Sequence, residues 1–176
     1  MQKIEEQVFQ LLKQHRITLS TAESATGGMI ASMLINVPGI SEFFQEGYVT
    51  YSNDAKVKMI GVDRTLIDTY GVVSSKVAEN MAISAARTAG TDAALSVTGV
   101  AGPDGGTVDC PVGTVYIGCF FRGKAVTEHH IFTGNRLEVR QAAAERALAL
   151  LIEQIEDKIL SSQECSDFAT QNKEDL

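Results

Sequence analysis

"ITLSTAESATGGMIASMLINVPG" occupies residues 17–39. A short apolar run, "ITLSTA", reads as a strand. Past Ser24, "TGGMIASMLINVPG" reads as a helix ended by Pro38-Gly39, with Ser24 or Thr26 placed to cap its start. The turn between them carries one carboxylate (Glu23), one hydroxyl nucleophile candidate (Ser24) and a Gly27-Gly28 pair, with no histidine nearby. If Ser24 is a nucleophile, some other group takes its proton.

Outward from this unit, strands and helices alternate. Ile4, Val8, Leu11 and Leu12 recur at helical spacing across residues 2–15. "GYVTYSN" alternates as a strand does, and "DAKVKMIGV" supplies one or two helical turns closed by Gly61. Val77, Met81 and Ala85 mark one face of a helix at 74–89, capped by Ser74 or Ser75. "DAALSVTGVAG" is an apolar strand feeding a glycine-rich loop. "GTVYIGCFFRGKAVTEHHIF" reads as a hairpin turning at Arg122-Gly123-Lys124. Val139, Ala143, Ala147, Leu150 and Leu151 mark a long helix over 136–160, and a polar, acidic tail from Ser161 reads as disordered or loosely attached. The expected architecture is one α/β domain over 1–160, a three-layer α/β/α sandwich whose hairpin makes the central sheet mixed.

Composition narrows the function. A chain of 176 residues is long enough to bury about 70% of its unfolded surface in one core. A net charge of −7 and a pI near 4.9 give no electrostatic footprint for nucleic acid or an anionic membrane. No apolar run approaches the ~20 residues of a membrane helix, and the charged N-terminus is not a secretory signal. Cys110, Cys119 and Cys165 are an odd set without CxxC spacing, which fits a reducing cytoplasm and neither a disulfide framework nor a zinc site. His129 and His130 are strand neighbours facing opposite ways and cannot jointly chelate one metal.

In open α/β sheets ligands bind beyond the carboxyl ends of strands, and three segments end strands there: "TAESATGG", "TYSNDAK" and "VTGVAGPDGG". Backbone amides after Ser24 can hold a phosphate or an acyl-transfer oxyanion; the plainer reading is a helix cap. Lys56, if desolvated, loses enough basicity to act as a general base toward a serine; the plainer reading is a surface lysine. Lys58, two residues on, points to another face. The loop between Thr98 and Thr114 carries five glycines and two prolines, and its exposed amides suit an anion. It lacks the lysine of a Walker loop and the spacing of a dinucleotide fingerprint.

Together, "TAESATGG", "GYVTYSNDAKVKMIGV", "VTGVAGPDGGTVDCPVGTVYIG" and "FTGNRLEVRQAAAERALALL" resemble the C-terminal domain of the CinA family, the nicotinamide-nucleotide amidohydrolases. The similarity runs collinearly from Ile4 to Ile155. The resemblance implies an α/β/α sandwich that hydrolyses the carboxamide of nicotinamide mononucleotide to nicotinic acid mononucleotide and ammonia, in pyridine nucleotide salvage, without metal or cofactor. It implies Ser24 as nucleophile and Lys56 as base. It prefers Tyr51 to Tyr48 as the tyrosine of the site. Amides near Ala25 to Gly27 would stabilise the oxyanion. Thr26, Gly27 and Gly28 are expected at the substrate, and Gly102, Gly105, Gly106 and Arg136 at its 5′-phosphate. Larger members carry a further N-terminal domain, so the chain resembles the stand-alone form, and a homo-oligomer is expected. A non-catalytic nucleotide-binding module, related to competence proteins, is the rival reading.

Two positions depart from the family pattern. Ala25 stands where the family usually has cysteine, so no thiol mechanism operates there. Asn135 stands where the family often has aspartate, a group that would orient the arginine or cap the last helix.

Overall fold

The computed structural model describes the backbone of residues 2–174 and side chains as far as Ser161. A five-stranded mixed sheet runs in the order β2-β1-β3-β4-β5. Its strands are β1 (Leu19–Glu23), β2 (Phe44–Val49), β3 (Ala93–Gly99), β4 (Thr114–Phe121) and β5 (Lys124–Ile131). β1 pairs in parallel with both β2 and β3, and β4 and β5 continue the sheet antiparallel.

β1 is buried along its whole length. It lies at the centre of the parallel half, so both of its faces are covered, and its residues are apolar or small up to Glu23 at its carboxyl end. Along β3, Ala93, Leu95 and Val97 face one apolar cluster while Ala94 faces another. That period of two assigns the layers. The first cluster is filled by α1 (Ile4–His15) through Val8 and Leu12, by α2 (Met29–Leu34) through Ile30 and Leu34, and by α6 (Arg136–Glu174) through Val139, Ala143, Ala147, Leu148 and Leu151. The second is filled by α5 (Ser75–Ala89) through Val77, Met81 and Ala85, together with Ile60 of α3 (Asn53–Ile60) and Ile67 of α4 (Arg64–Tyr70). The expected α/β/α sandwich is what forms.

Local sequence accounts for most boundaries. Ser52 and Ser74 accept from the third-residue amides of α3 and α5, and Gly61 and Gly90 close those helices in the left-handed region. α4 was not anticipated: with only Leu66 and Ile67 to mark a period, its signal is the Asp63 cap and the closing Gly71. The last helix continues past 160 to Glu174, a stretch without glycine or proline. The packing of the tail expected to be loose lies outside the described residues.

α5 sits unusually close to the sheet. Ser96 donates to the Ala78 carbonyl at 2.6 Å, and a Cβ on Gly118, paired with Ser96 across β3 and β4, would fall 2.5 Å from that carbonyl oxygen. Only glycine fits there. We expect Gly118→Ala to destabilise the fold by about 1–3 kcal/mol in urea unfolding, the usual cost of overpacking a rigid contact.

Candidate active site

The sheet topology creates the cleft. From β1 the chain crosses by α2 to β2 on one side; from β2 it crosses by α5 to β3 on the other. Loops leaving the carboxyl ends of β1 and β3 therefore diverge, which opens a crevice at the switch point. The crevice holds about 310 Å³, at the lower end of the small-molecule range of roughly 300–1,000 Å³. It is lined by Ser24, Ala25, Tyr51, Asn53, Lys56 and Arg136, and by the β3–β4 loop with Gly102, Asp104 and Gly105.

Ser24 follows β1 directly, its amide still bonded to the Val97 carbonyl at 2.9 Å. Lys56 lies one turn into α3 and is 1% exposed, whereas Lys58 is exposed. The Lys56 Nζ donates to the Thr50 carbonyl at 2.8 Å and to Ser24 Oγ at 3.0 Å. Both partners are uncharged, and no carboxylate pairs with Lys56 among the described residues. Burial without an anion disfavours the ammonium, and the amine drops from its ordinary value to about 8.

The cap on α2 is Glu23, not Ser24 or Thr26. Its carboxylate, 1% exposed, accepts from the amides of Gly28 (3.0 Å), Ile30 (3.0 Å) and Ala31 (2.9 Å). Gly27 and Gly28 take φ of +60° and +94°, turning the helix start back onto that side chain. This occupies the helix N-terminus with an internal anion and leaves the Ser24 hydroxyl to Lys56. Gly28, expected at the substrate, is thereby committed to the cap. Gly27 is committed too, its amide bonding the Ser24 carbonyl at 3.1 Å, so it drops out of the expected oxyanion set. The amides of Ala25 and Thr26 have no partner among the described residues. Thr26 is fully buried, and Thr26, Gly27, Gly28 and Gly106 do not line the cleft.

Arg136 ties two walls together, donating to the Gly102 carbonyl at 2.7 Å and to the Tyr51 hydroxyl at 3.1 Å. Tyr51 is 64% exposed in the cleft, whereas Tyr48 leans on the second apolar cluster and hydrogen-bonds Glu46, which pushes its phenol up to about 12 through burial and that neighbouring carboxylate. Asn135 takes over the capping that a carboxylate would supply: its Oδ1 accepts from Leu137 (2.9 Å) and Glu138 (3.1 Å), and its own amide donates to Glu138 (2.7 Å). The arginine is therefore presented by an intact helix start.

Arg140 escaped the sequence reading. Its guanidinium donates to the carbonyls of Ala25 (3.1 Å) and Thr26 (2.7 Å) from α6. The available signal was its place four residues beyond Arg136, on the same helix face. Asn53 and Asp104 were also missed. Away from the cleft, His130 bonds Glu128 and His129 stacks on Tyr116. Cys119 is buried, its thiol pushed up to about 12 by burial.

Known proteins share the sequence pattern and the fold. The family model of the CinA C-terminal domain matches residues 1–155. A Clostridium beijerinckii protein named for competence-damage induction is 51% identical over 148 residues, covering 84% of this chain and 36% of the relative. A CinA-like protein of Kosmotoga olearia is 46% identical, with 84% and 36% covered. The chain thus spans little more than a third of these relatives. The crystal structure of the competence/damage inducible protein CihA from Agrobacterium tumefaciens superposes with a TM-score of 0.82 at 37% identity, covering 87% of this chain and 96% of that one. A CinA superfamily protein from Klebsiella pneumoniae gives 0.84 at 33% identity, covering 89% and 99%. The chain belongs to the CinA C-terminal domain family.

Proposed function

We propose that the domain is a serine amidohydrolase acting on the carboxamide of nicotinamide mononucleotide, with Lys56 as its general base and no metal required. The observation that carries this reading is the 3.0 Å contact between Ser24 Oγ and an amine that is 1% exposed and lowered to about 8. A module that only binds a ligand has no use for a deprotonatable lysine held against a serine, and such burial is costly.

In its neutral form Lys56 keeps an N–H on the Thr50 carbonyl and turns its lone pair to the Ser24 hydroxyl. As Ser24 Oγ bonds the carboxamide carbon, Lys56 takes the hydroxyl proton. The carbonyl π pair moves onto oxygen, where the unpaired amides of Ala25 and Thr26 stand closest in sequence to receive it. Collapse breaks the C–N bond, and the Lys56 proton leaves with the amide nitrogen as ammonia. Water then attacks the ester while Lys56 again accepts a proton, which returns to Ser24 as the acid departs. Net consumption is one water per amide.

The cleft's charges suit this substrate. Arg136, with further guanidinium donors, and the amides of the Gly102–Gly105 turn suit the 5′-phosphate. Asp104 brings a carboxylate to the same space, which suits the pyridinium cation.

Purified protein with chelator present is expected to release ammonia from the nucleotide, and Ser24→Ala to lose at least about four orders of magnitude in kcat. Nucleotide-induced thermal stabilisation without ammonia would instead make the domain a binder. The log of kcat/KM should rise with unit slope, about tenfold per pH unit, up to about 8 and then level, because only neutral Lys56 accepts the serine proton. A profile flat from pH 6 to 9 would remove Lys56 as base. Arg136→Ala should raise KM about tenfold or more while moving kcat far less, measured on the phosphorylated substrate.

A further inference from the structure

We propose that Arg140 is a positioning residue that builds the oxyanion hole from behind, without touching substrate. This inference rests on the amidohydrolase reading above. Arg140 is half-buried on α6 and does not line the cleft; it lies on the far side of the 24–28 turn, against a neighbouring cavity. Nε holds the Ala25 carbonyl and a terminal nitrogen holds the Thr26 carbonyl, so the guanidinium fork fixes two successive peptide planes.

In a trans peptide the carbonyl and the following N–H point in opposite directions. A carbonyl of Ala25 drawn toward Arg140 therefore sends the Thr26 N–H away from it. The carbonyl of Thr26 drawn the same way sends the Gly27 N–H away, and that amide is found on the Ser24 carbonyl at 3.1 Å. The Ser24 carbonyl, engaged by Gly27, in turn directs the Ala25 N–H to its opposite side. One arginine and one turn bond thus set the orientation of the two amides left without partners, those of Ala25 and Thr26. The residue after the nucleophile is where acyl-transfer enzymes place such a donor.

Three further observations fit this role. Arg140 has no carboxylate partner among the described residues, so its charge reaches the turn unneutralised and adds positive potential where negative charge develops. A Cβ on Gly27 would sit 3.4 Å from the Arg140 terminal nitrogen, so the guanidinium packs directly on the turn. Val139 beside it and Ala143 one turn on are core residues, which anchors the arginine to the rigid part of α6.

The test compares wild type, Arg140→Gln and Arg140→Lys, each checked for a cooperative thermal transition. Four readouts are taken on nicotinamide mononucleotide: kcat, KM, the pH midpoint, and affinity for the corresponding pyridine-3-aldehyde nucleotide, which gives a tetrahedral adduct with a serine. The expected result for Arg140→Gln is a kcat lower by about 10²-fold, a KM within threefold and an unmoved midpoint. Its affinity for the aldehyde should fall in step with kcat, and lysine should restore part of both. An unchanged kcat would overturn the proposal, as would equal losses in substrate and aldehyde affinity. If Arg140→Gln fails to fold, Arg140→Lys carries the same comparison, its fork lost but its charge kept. Absence of ammonia release from wild type would instead defeat the underlying amidohydrolase reading.

Discussion

A lysine amine sealed from water with no anion beside it is the constraint around which this domain is arranged. Removing an ammonium from water costs several kcal/mol unless the proton is released or the charge is paired. Lys56 has the Thr50 carbonyl and the Ser24 hydroxyl, and neither compensates a full charge. The fold accepts the cost by letting the amine lose its proton near neutrality. The sign of the linkage follows. Between about 8 and the ordinary lysine value near 10.5 the unfolded chain holds a proton that the folded chain has released. Stability therefore rises with pH across that window, and the penalty is fully present below it.

The surrounding elements keep this pair in register. Ser24 is delivered by a strand buried on both faces, and Lys56 by a short helix whose start is fixed by Ser52. The Thr50 amide bonds the Glu23 carbonyl at 2.9 Å, which ties the two segments together one residue from Ser24. Glu23 absorbs the amides at the head of α2, so the helix start makes no demand on the Ser24 hydroxyl. Arg136 and Arg140, one turn apart on α6, reach opposite sides of the site: one braces the cleft wall, the other the turn beneath the serine. A helix from the far end of the sequence thus supplies the rigidity that a five-residue loop lacks.

Much of this was legible from residues alone. Period-two strands and period-3.6 helices gave the layers, because burial on one or two faces imposes those periods directly. The convergence of three strand ends identified the cleft, and the Ser24, Tyr51, Lys56 and Arg136 positions came together there. What the sequence hid were choices between chemically equivalent partners. Serine, threonine and glutamate all stand near the start of α2, and only the glycine-made turn decides that Glu23 reaches the amides. Gly27 and Gly28 looked available to a ligand, yet their amides are consumed inside the turn. Beyond its spacing from Arg136, Arg140 left no mark in the sequence, because its partners are backbone carbonyls 114 and 115 residues away.

The most direct test of the account is the titration of Lys56 itself, followed by NMR of protein carrying ζ-labelled lysine and assigned with Lys56→Arg. The account predicts that the Lys56 amine titrates near 8, well below the ordinary lysine value of 10.5, and shifts when Ser24 is replaced by alanine. A Lys56 amine that titrates at the ordinary lysine value near 10.5 would contradict it, since an ammonium cannot take the serine's proton.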